Sequence, residues 1–160
     1  MTMLSQVEIH ALFEYKDGAL YWREHNGKCP AGTRAGYKNT NAYVQIGVRG
    51  KRYYAHRLIY MLFHNQLPEF LDHIDGNRSN NRYENLRPAT ANQNMHNRKR
   101  SVNNTSGVKG VAWAEHANKW LAYCWVDKKQ YHLGYYADLV EAAEAVKVFR
   151  EKHHGEYARV

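Results

Sequence analysis

Asp72, His73, Asn85 and Asn94 are the residues of this chain whose types and spacing suit chemistry on a phosphodiester. All four lie in 72–94 (DHIDGNRSNNRYENLRPATANQN), with the acid beside the histidine, one asparagine twelve residues after it and the other nine further on. Unaided hydrolysis of such a bond is so slow that a site must lower the barrier by about 20 kcal/mol. A divalent cation neutralises charge on the scissile phosphate and leaving oxygen, and a placed base that takes the proton of the attacking water adds about 10²–10⁴-fold. Asp72 and the amide oxygen of Asn94 are hard donors, suited to Mg²⁺ with its waters retained, or Mn²⁺ in its place, rather than Zn²⁺. His73 is the candidate general base. That role requires a neutral imidazole in one tautomer, fixed by an acceptor on the other ring nitrogen, and Asn85 is the candidate for it. His96 and Asn97 follow closely and stand as alternatives to Asn94 as second ligand. The bland alternative is an asparagine-rich loop whose side chains cap turns around a buried, hydrogen-bonded His73.

Such a site needs a hairpin and a helix to hold it. The pattern predicts a strand over 70–74, a turn at Asp75-Gly76-Asn77, a second strand over 85–87 and a helix from Thr90 to about Arg98, with Thr90 and Gln93 fitting a capping box. One geometric difficulty is built in: neighbours in a regular strand face opposite sides, so Asp72 and His73 share a site only where the strand bends or ends. Arg87 is placed either to brace the phosphate or to pair with Glu84 or Asp75. Upstream, 6–15 has helical periodicity, 17–24 reads as a turn and strand, and 42–48 with 51–56 read as a hairpin. Arg49, Lys51 and Arg52 cluster at its tip, as solvated charge or as a phosphate clamp. A helix follows from His56 to about Asn65, its apolar face formed by Leu58, Ile59, Leu62 and Phe63. His56 reads as structural first and as a DNA contact second.

The run 72–94 resembles the HNH (ββα-metal) endonuclease motif, and 56–70 (HRLIYMLFHNQLPEF) resembles the helix and linker that precede it in phage and intron-encoded homing endonucleases. The resemblance implies DNA cleavage leaving 5′-phosphate and 3′-hydroxyl ends. From Thr105 onward the chain resembles an AP2-type DNA-binding domain, through KGVAW (109–113), KWLAYCW (119–125), HLGYY (132–136), EAAEAV (141–146) and HGEYA (154–158). These pieces read as three strands and a helix, with Leu139, Ala142, Ala143, Val146 and Phe149 as its apolar stripe. Ala122 and Cys124 then face the helix, leaving Lys119, Leu121, Tyr123 and Trp125 on the other face. In the AP2 family that open face enters the major groove. Here positions that are often arginine hold Ala112, Ala114, Trp125 and Gln130, while Lys109 keeps its charge, which implies fewer or different base contacts. Lys109, Lys119, Tyr123 and Trp125 are the candidate DNA contacts of this module.

Charge agrees with a polyanionic partner. The chain carries a formal +8, and fifteen Lys/Arg stand against eight Asp/Glu up to residue 100, compared with eight against seven beyond it. Arg98, Lys99 and Arg100 lie in a basic stretch with no acid, which reads either as a solvated linker or, the favoured reading, as a segment that runs along a duplex and neutralises phosphates. Two cysteines, Cys29 and Cys124, are too few for a zinc finger or disulfide framework. No apolar run could span a bilayer, and the N-terminus lacks a signal-peptide pattern, so a reduced, cytoplasmic setting is expected. The expected architecture is α+β: an HNH module over 1–98 with its ββα-metal motif at about 69–98, a basic linker over 99–104, and a three-stranded antiparallel sheet plus one helix over 105–160. The expected function is Mg²⁺-dependent, homing-type nicking of double-stranded DNA by a monomer or weak dimer. Two rivals stand beside it. One is an AP2-type regulator with an inactive HNH module, and the other is a structural zinc protein using His73, His96 and a cysteine.

Overall fold

The computed structural model describes residues 3–96 and 104–157. The chain forms two compact units, Met1–Thr90 and Ala91–Val160. Both mix helices with small antiparallel sheets, so the architecture is α+β. The residues expected to form the linker, 99–104, lie outside the described residues except Asn104.

In the first unit, α1 (Gln6–Leu12) is started by a capping box in which Ser5 and Glu8 satisfy each other's backbone N–H groups. It leads into the hairpin β1 (Phe13–Lys16) and β2 (Ala19–Trp22), turned by Asp17 and Gly18 at φ 46° and 79°. Positive φ at both positions matches the right-handed twist of a tight hairpin. A second sheet takes the order β3 (Tyr37–Lys38), β4 (Val44–Val48), β5 (Lys51–Tyr54), with Arg49 and Gly50 turning β4 into β5 in the same way. Helix α2 (Ala55–His64) starts directly at the end of β5 and stops at Asn65, which takes the left-handed conformation. Its Leu58 and Ile59 are fully buried with Ile9, Phe13, Leu20 and Ile46, each contributing about 1.5–3 kcal/mol of hydrophobic stabilisation. Phe63 departs from the expected apolar face. It is 43 % exposed and stacks on Tyr83 at 4.4 Å instead of entering the core.

The last hairpin of this unit pairs β6 (Phe70–His73) with β7 (Leu86–Ala89) in regular antiparallel register, anchored to the core by Leu71 and Leu86. A 3₁₀ turn (Tyr83–Asn85) returns the loop to β7. That loop packs tightly on the first hairpin. A Cβ on Gly18 would lie 2.7 Å from the Arg82 backbone nitrogen, so only glycine fits there.

The second unit begins with α3 (Ala91–His96), one residue after the expected start at Thr90. A meander of β8 (Val111–Ala114), β9 (Lys119–Val126) and β10 (Lys129–Tyr136) is covered on one face by α4 (Leu139–His154). Asp138 caps α4 by accepting from the Val140 and Glu141 N–H groups. Val111, Ala122, Ala142 and Val146 form a small buried core, with Trp120, Leu133 and Tyr136 packed against it. Small residues there let helix and sheet approach closely, at the cost of little buried area. No helix among the described residues is long and apolar enough to cross a membrane.

Candidate active site

Strand β6 ends in Asp72 and His73, both buried, at 5 % and 4 % exposure. No bulge interrupts the register at Asp72↔Arg87 and His73↔Leu86, so strand geometry sends the two side chains to opposite faces. His73 is the last residue of the strand.

Asp72 meets its cross-strand neighbour. Arg87 donates from Nε and Nη2 to Oδ2 of Asp72, at 3.1 and 3.0 Å. Arg87 therefore pairs with Asp72 rather than with Glu84 or Asp75, and the antiparallel register decides it, since directly opposed residues share a face. Only 12 % of the arginine side chain and 6 % of the aspartate are exposed. The contact thus fixes the carboxylate and engages the guanidinium that phosphate contact would need.

The His73 ring is fixed by a different residue from the one expected. Nε2–H donates to Oδ1 of Asn81 at 2.9 Å, and Asn81 is 2 % exposed. Asn85, the residue expected to orient the imidazole, is occupied inside the loop. Its Nδ2 donates to Asp75 Oδ1 at 3.0 Å and to the Asn80 carbonyl at 2.8 Å, and its Oδ1 accepts from the Asp75 N–H. Asparagine carries a donor and an acceptor on one short stem, so Asn85 closes the loop on both sides at once. Asp75 completes the knot by accepting from the Asn77 N–H and from Asn80 Nδ2. Partial burial pushes the Asp75 carboxyl up, but the bonds from Asn80, Asn77 and Asn85 together hold it below the usual carboxylate range.

Burial lowers the pKa of His73, against the opposing pull of Asn81, Asp75 and Asp72. The ring is therefore neutral at neutral pH, and the bond from Nε2–H makes Nδ1 the basic atom. Around it stand Tyr43 and His56, with ring centres 6.1 and 5.1 Å away. Arg78 covers Tyr43 at 5.0 Å. A cleft of about 440 Å³ lined by Tyr15, Asp17, Ile74, Arg82, Glu84 and Asn85 borders the same loop but includes neither Asp72 nor His73.

Asn94 is exposed on α3 of the second unit, and Asn97 lies outside the described residues. Of the candidate ligands, Asp72 and Asn94 offer side-chain oxygens, the donor type that hard divalent cations take. Among the described residues no group of three or more His, Cys, Asp or Glu stands together as a metal site, and Cys29 is exposed while Cys124 is buried.

At the β4–β5 tip Arg49, Lys51 and Arg52 are exposed, and Arg49 pairs with Glu8 at 3.1 Å. In the second unit Ala122 and Cys124 are buried beneath α4, while Lys119 and Trp125 are exposed and Tyr123 half-buried on the opposite face. That division follows from the alternation of β9. Lys109 is half-buried at the approach to β8, and Arg98, Lys99 and Arg100 lie outside the described residues.

The HNH endonuclease family pattern matches residues 53–96, from β5 through α3. "Protein 3.8" of Escherichia phage T7 is 36 % identical to this chain over 90 residues, covering 56 % of the chain and 74 % of that protein. No solved structure matches the chain. The matched segment contains the buried Asp72–Arg87 and His73–Asn81 pairs and the loop tied by Asn85, and with 36 % identity across most of a phage relative it establishes that the chain belongs to the HNH endonuclease family.

Proposed function

We propose that this nuclease is a site-selective, homing-type DNA endonuclease that hydrolyses one phosphodiester at a time, with His73 as general base. The observation that carries the reading is the buried His73 ring, held neutral with Nε2–H on Asn81 and Nδ1 as its basic atom. In that state the ring takes a proton from water, and the resulting hydroxide attacks phosphorus. The bond to the 3′-oxygen breaks and that oxygen is protonated, leaving a 5′-phosphate and a 3′-hydroxyl. A divalent cation, Mg²⁺ with Mn²⁺ as substitute, supplies charge neutralisation at the phosphate and leaving oxygen. Asp72, oriented by Arg87, would hold it, with Asn94 as second ligand by its spacing in the sequence and His96 and Asn97 as alternatives. Asn85 acts through the loop that it closes, as a positioning residue.

DNA contacts are shared between the units. Arg49, Lys51 and Arg52 form a phosphate clamp at the hairpin tip, and Arg98, Lys99 and Arg100 add backbone charge. The AP2-like sheet face, with Lys109, Lys119, Tyr123 and Trp125, selects the site. One active centre per chain makes the product a nick.

The reading is tested by incubating full-length protein with a large phage-type genomic DNA in low salt with Mg²⁺ and mapping nicks by sequencing. Discrete nicks are expected, and Tyr123→Ala with Trp125→Ala should scatter or lose them while leaving phosphodiester chemistry intact. Cleavage at unchanged sites by that double variant would remove site selection from the sheet. Uniform degradation by the wild type would remove the homing-type assignment.

A further inference from the structure

The segment 72–94 holds three arginines, Arg78, Arg82 and Arg87. Two of them stand beside carboxylates, Arg87 at 3.0 Å from Asp72 and Arg82 at 3.9 Å from Asp17. Arg78 pairs with no acid among the described residues. Its guanidinium lies over the ring of Tyr43, 5.0 Å from the centre, and its side-chain hydrogen bond is a long one, from Nη1 to the Asn41 carbonyl at 3.4 Å. The residue is exposed, on a backbone tied down at both sides. The Asn77 N–H donates to Asp75, and Asn77 Oδ1 accepts from the N–H and the hydroxyl of Ser79.

Tyr43 links that guanidinium to the candidate base. Its ring centre is 6.1 Å from that of His73, so the two spacings laid end to end put the guanidinium within about 11 Å of the imidazole. A row of imidazole, water, phosphorus and guanidinium fits that length, with about 3 Å for a hydrogen bond and about 3–3.5 Å for the attacking oxygen. The positive charge of Arg78 also reaches His73, where it is one of the causes that keep the ring neutral. Attack of hydroxide on a phosphodiester gathers a second negative charge on the phosphate, and a fixed cation aimed at that charge lowers the barrier. Arginine suits such a place better than lysine. Its planar fork stacks on an aromatic face and still offers paired N–H groups to two phosphate oxygens.

We propose that Arg78 is a further catalytic residue of this site: braced on Tyr43, its guanidinium binds the non-bridging oxygens of the phosphate that is cleaved and meets the charge that grows there. It takes the part that the contact with Asp72 withdraws from Arg87. The inference rests on the reading of His73 as general base.

The test uses full-length wild type, Arg78→Ala and Arg78→Lys, each checked by thermal melting, with two readouts. The first is kcat and KM for nicking a plasmid with Mg²⁺. Arg78→Ala should lower kcat by about 10²–10³-fold with KM within about threefold, the scale for removing one donor aimed at transition-state charge. Arg78→Lys should recover part of kcat, and added guanidinium ion should raise the rate of Arg78→Ala more than sodium chloride of equal ionic strength does. A folded Arg78→Ala with wild-type kcat, or one changed in KM alone, overturns the proposal. So does a loss of rate that neither lysine nor guanidinium restores, which would make Arg78 a structural brace. The second readout is the Arg78 Nε–H NMR signal on adding a short duplex DNA in EDTA, which should move. A wild type that nicks no DNA overturns the nuclease reading; a signal that moves then keeps Arg78 as a phosphate ligand, and a signal that stays still overturns that as well.

Discussion

Replacing Asn81 with alanine bears hardest on the geometry of the candidate base. Asn81 is 2 % exposed, and its Oδ1 accepts from a ring that is itself only 4 % exposed. Taking away that acceptor leaves a ring N–H stranded away from bulk water, so the expected loss of stability is about 1–3 kcal/mol. In a domain of this size that lowers Tm by something on the order of 10 °C. The rate should fall further than the stability, by about 10–100-fold in kcat, because the ring loses the contact that fixes its tautomer and plane. A pH profile separates this from simple loosening. The Asn81 bond props up the pKa of His73 against burial, so its removal lets that pKa fall further. A base works only when neutral, so the acid limb of kcat moves to lower pH in Asn81→Ala. Asn81→Asp puts a carboxylate beside the ring, favours the imidazolium and moves the same limb to higher pH. Single-turnover nicking of supercoiled plasmid with Mg²⁺ over about pH 5–9, below the Tm of each variant, measures all of this. A folded Asn81→Ala enzyme with wild-type rate and profile, or limbs displaced in the same direction by both substitutions, would refute the reasoning.

Three further outcomes are expected. Arg87→Ala leaves the Asp72 carboxylate buried without its guanidinium and should cost about 3–5 kcal/mol in urea unfolding; a loss under about 1 kcal/mol would mean that the pair is not held in solution. Gly18→Ala adds a Cβ 2.7 Å from the Arg82 backbone nitrogen at φ +79°, so it should destabilise the first unit by about 1 kcal/mol or more and reduce nicking through the displaced Asn81 loop; wild-type melting and rate would contradict this. Both buried histidines have folded pKa values below the unfolded value, so their stability contribution is complete above about pH 6.5 and is lost as pH falls, toward about 3 for His56. For His56 the slope is about 1.4 kcal/mol per pH unit in that window, so the gap between urea midpoints at pH 7 and 5 should narrow in His56→Phe; a wild-type midpoint that does not change with pH would contradict the burial of these rings.

Local patterns were legible in the sequence, and pairings across loops were not. Asp75-Gly76-Asn77 and the apolar Leu71 and Leu86 located the hairpin to within a residue or two, because turn chemistry and burial act locally. The alternation of β9 separated Ala122 and Cys124 from Lys119 and Trp125, because small residues are needed wherever a helix approaches a sheet. By contrast, the Asp72–Arg87 contact depends on register, set by a loop with a 3₁₀ turn whose length no motif announces. The partner of His73 was missed for a related reason. Asn80, Asn81 and Asn85 are chemically identical, and only the path of the loop decides that Asn81 points inward while Asn85 ties Asp75. Gly18 carried a trace of that path, since it permits the Arg82 backbone to approach, but its sequence context reads equally well as an ordinary hairpin glycine. Helical periodicity puts Phe63 on the apolar face of its helix, and it stacks instead on Tyr83, twenty residues away, at the surface.

The most direct measurement is nicking of DNA by wild type in Mg²⁺, by wild type with EDTA, and by His73→Ala, with binding to the same DNA followed in parallel. Mg²⁺-dependent nicking that falls by about 10²–10⁴-fold in His73→Ala, with binding retained, is the expected result. Nicking of equal rate in His73→Ala, or unaffected by EDTA, would contradict a metal-assisted site built on His73.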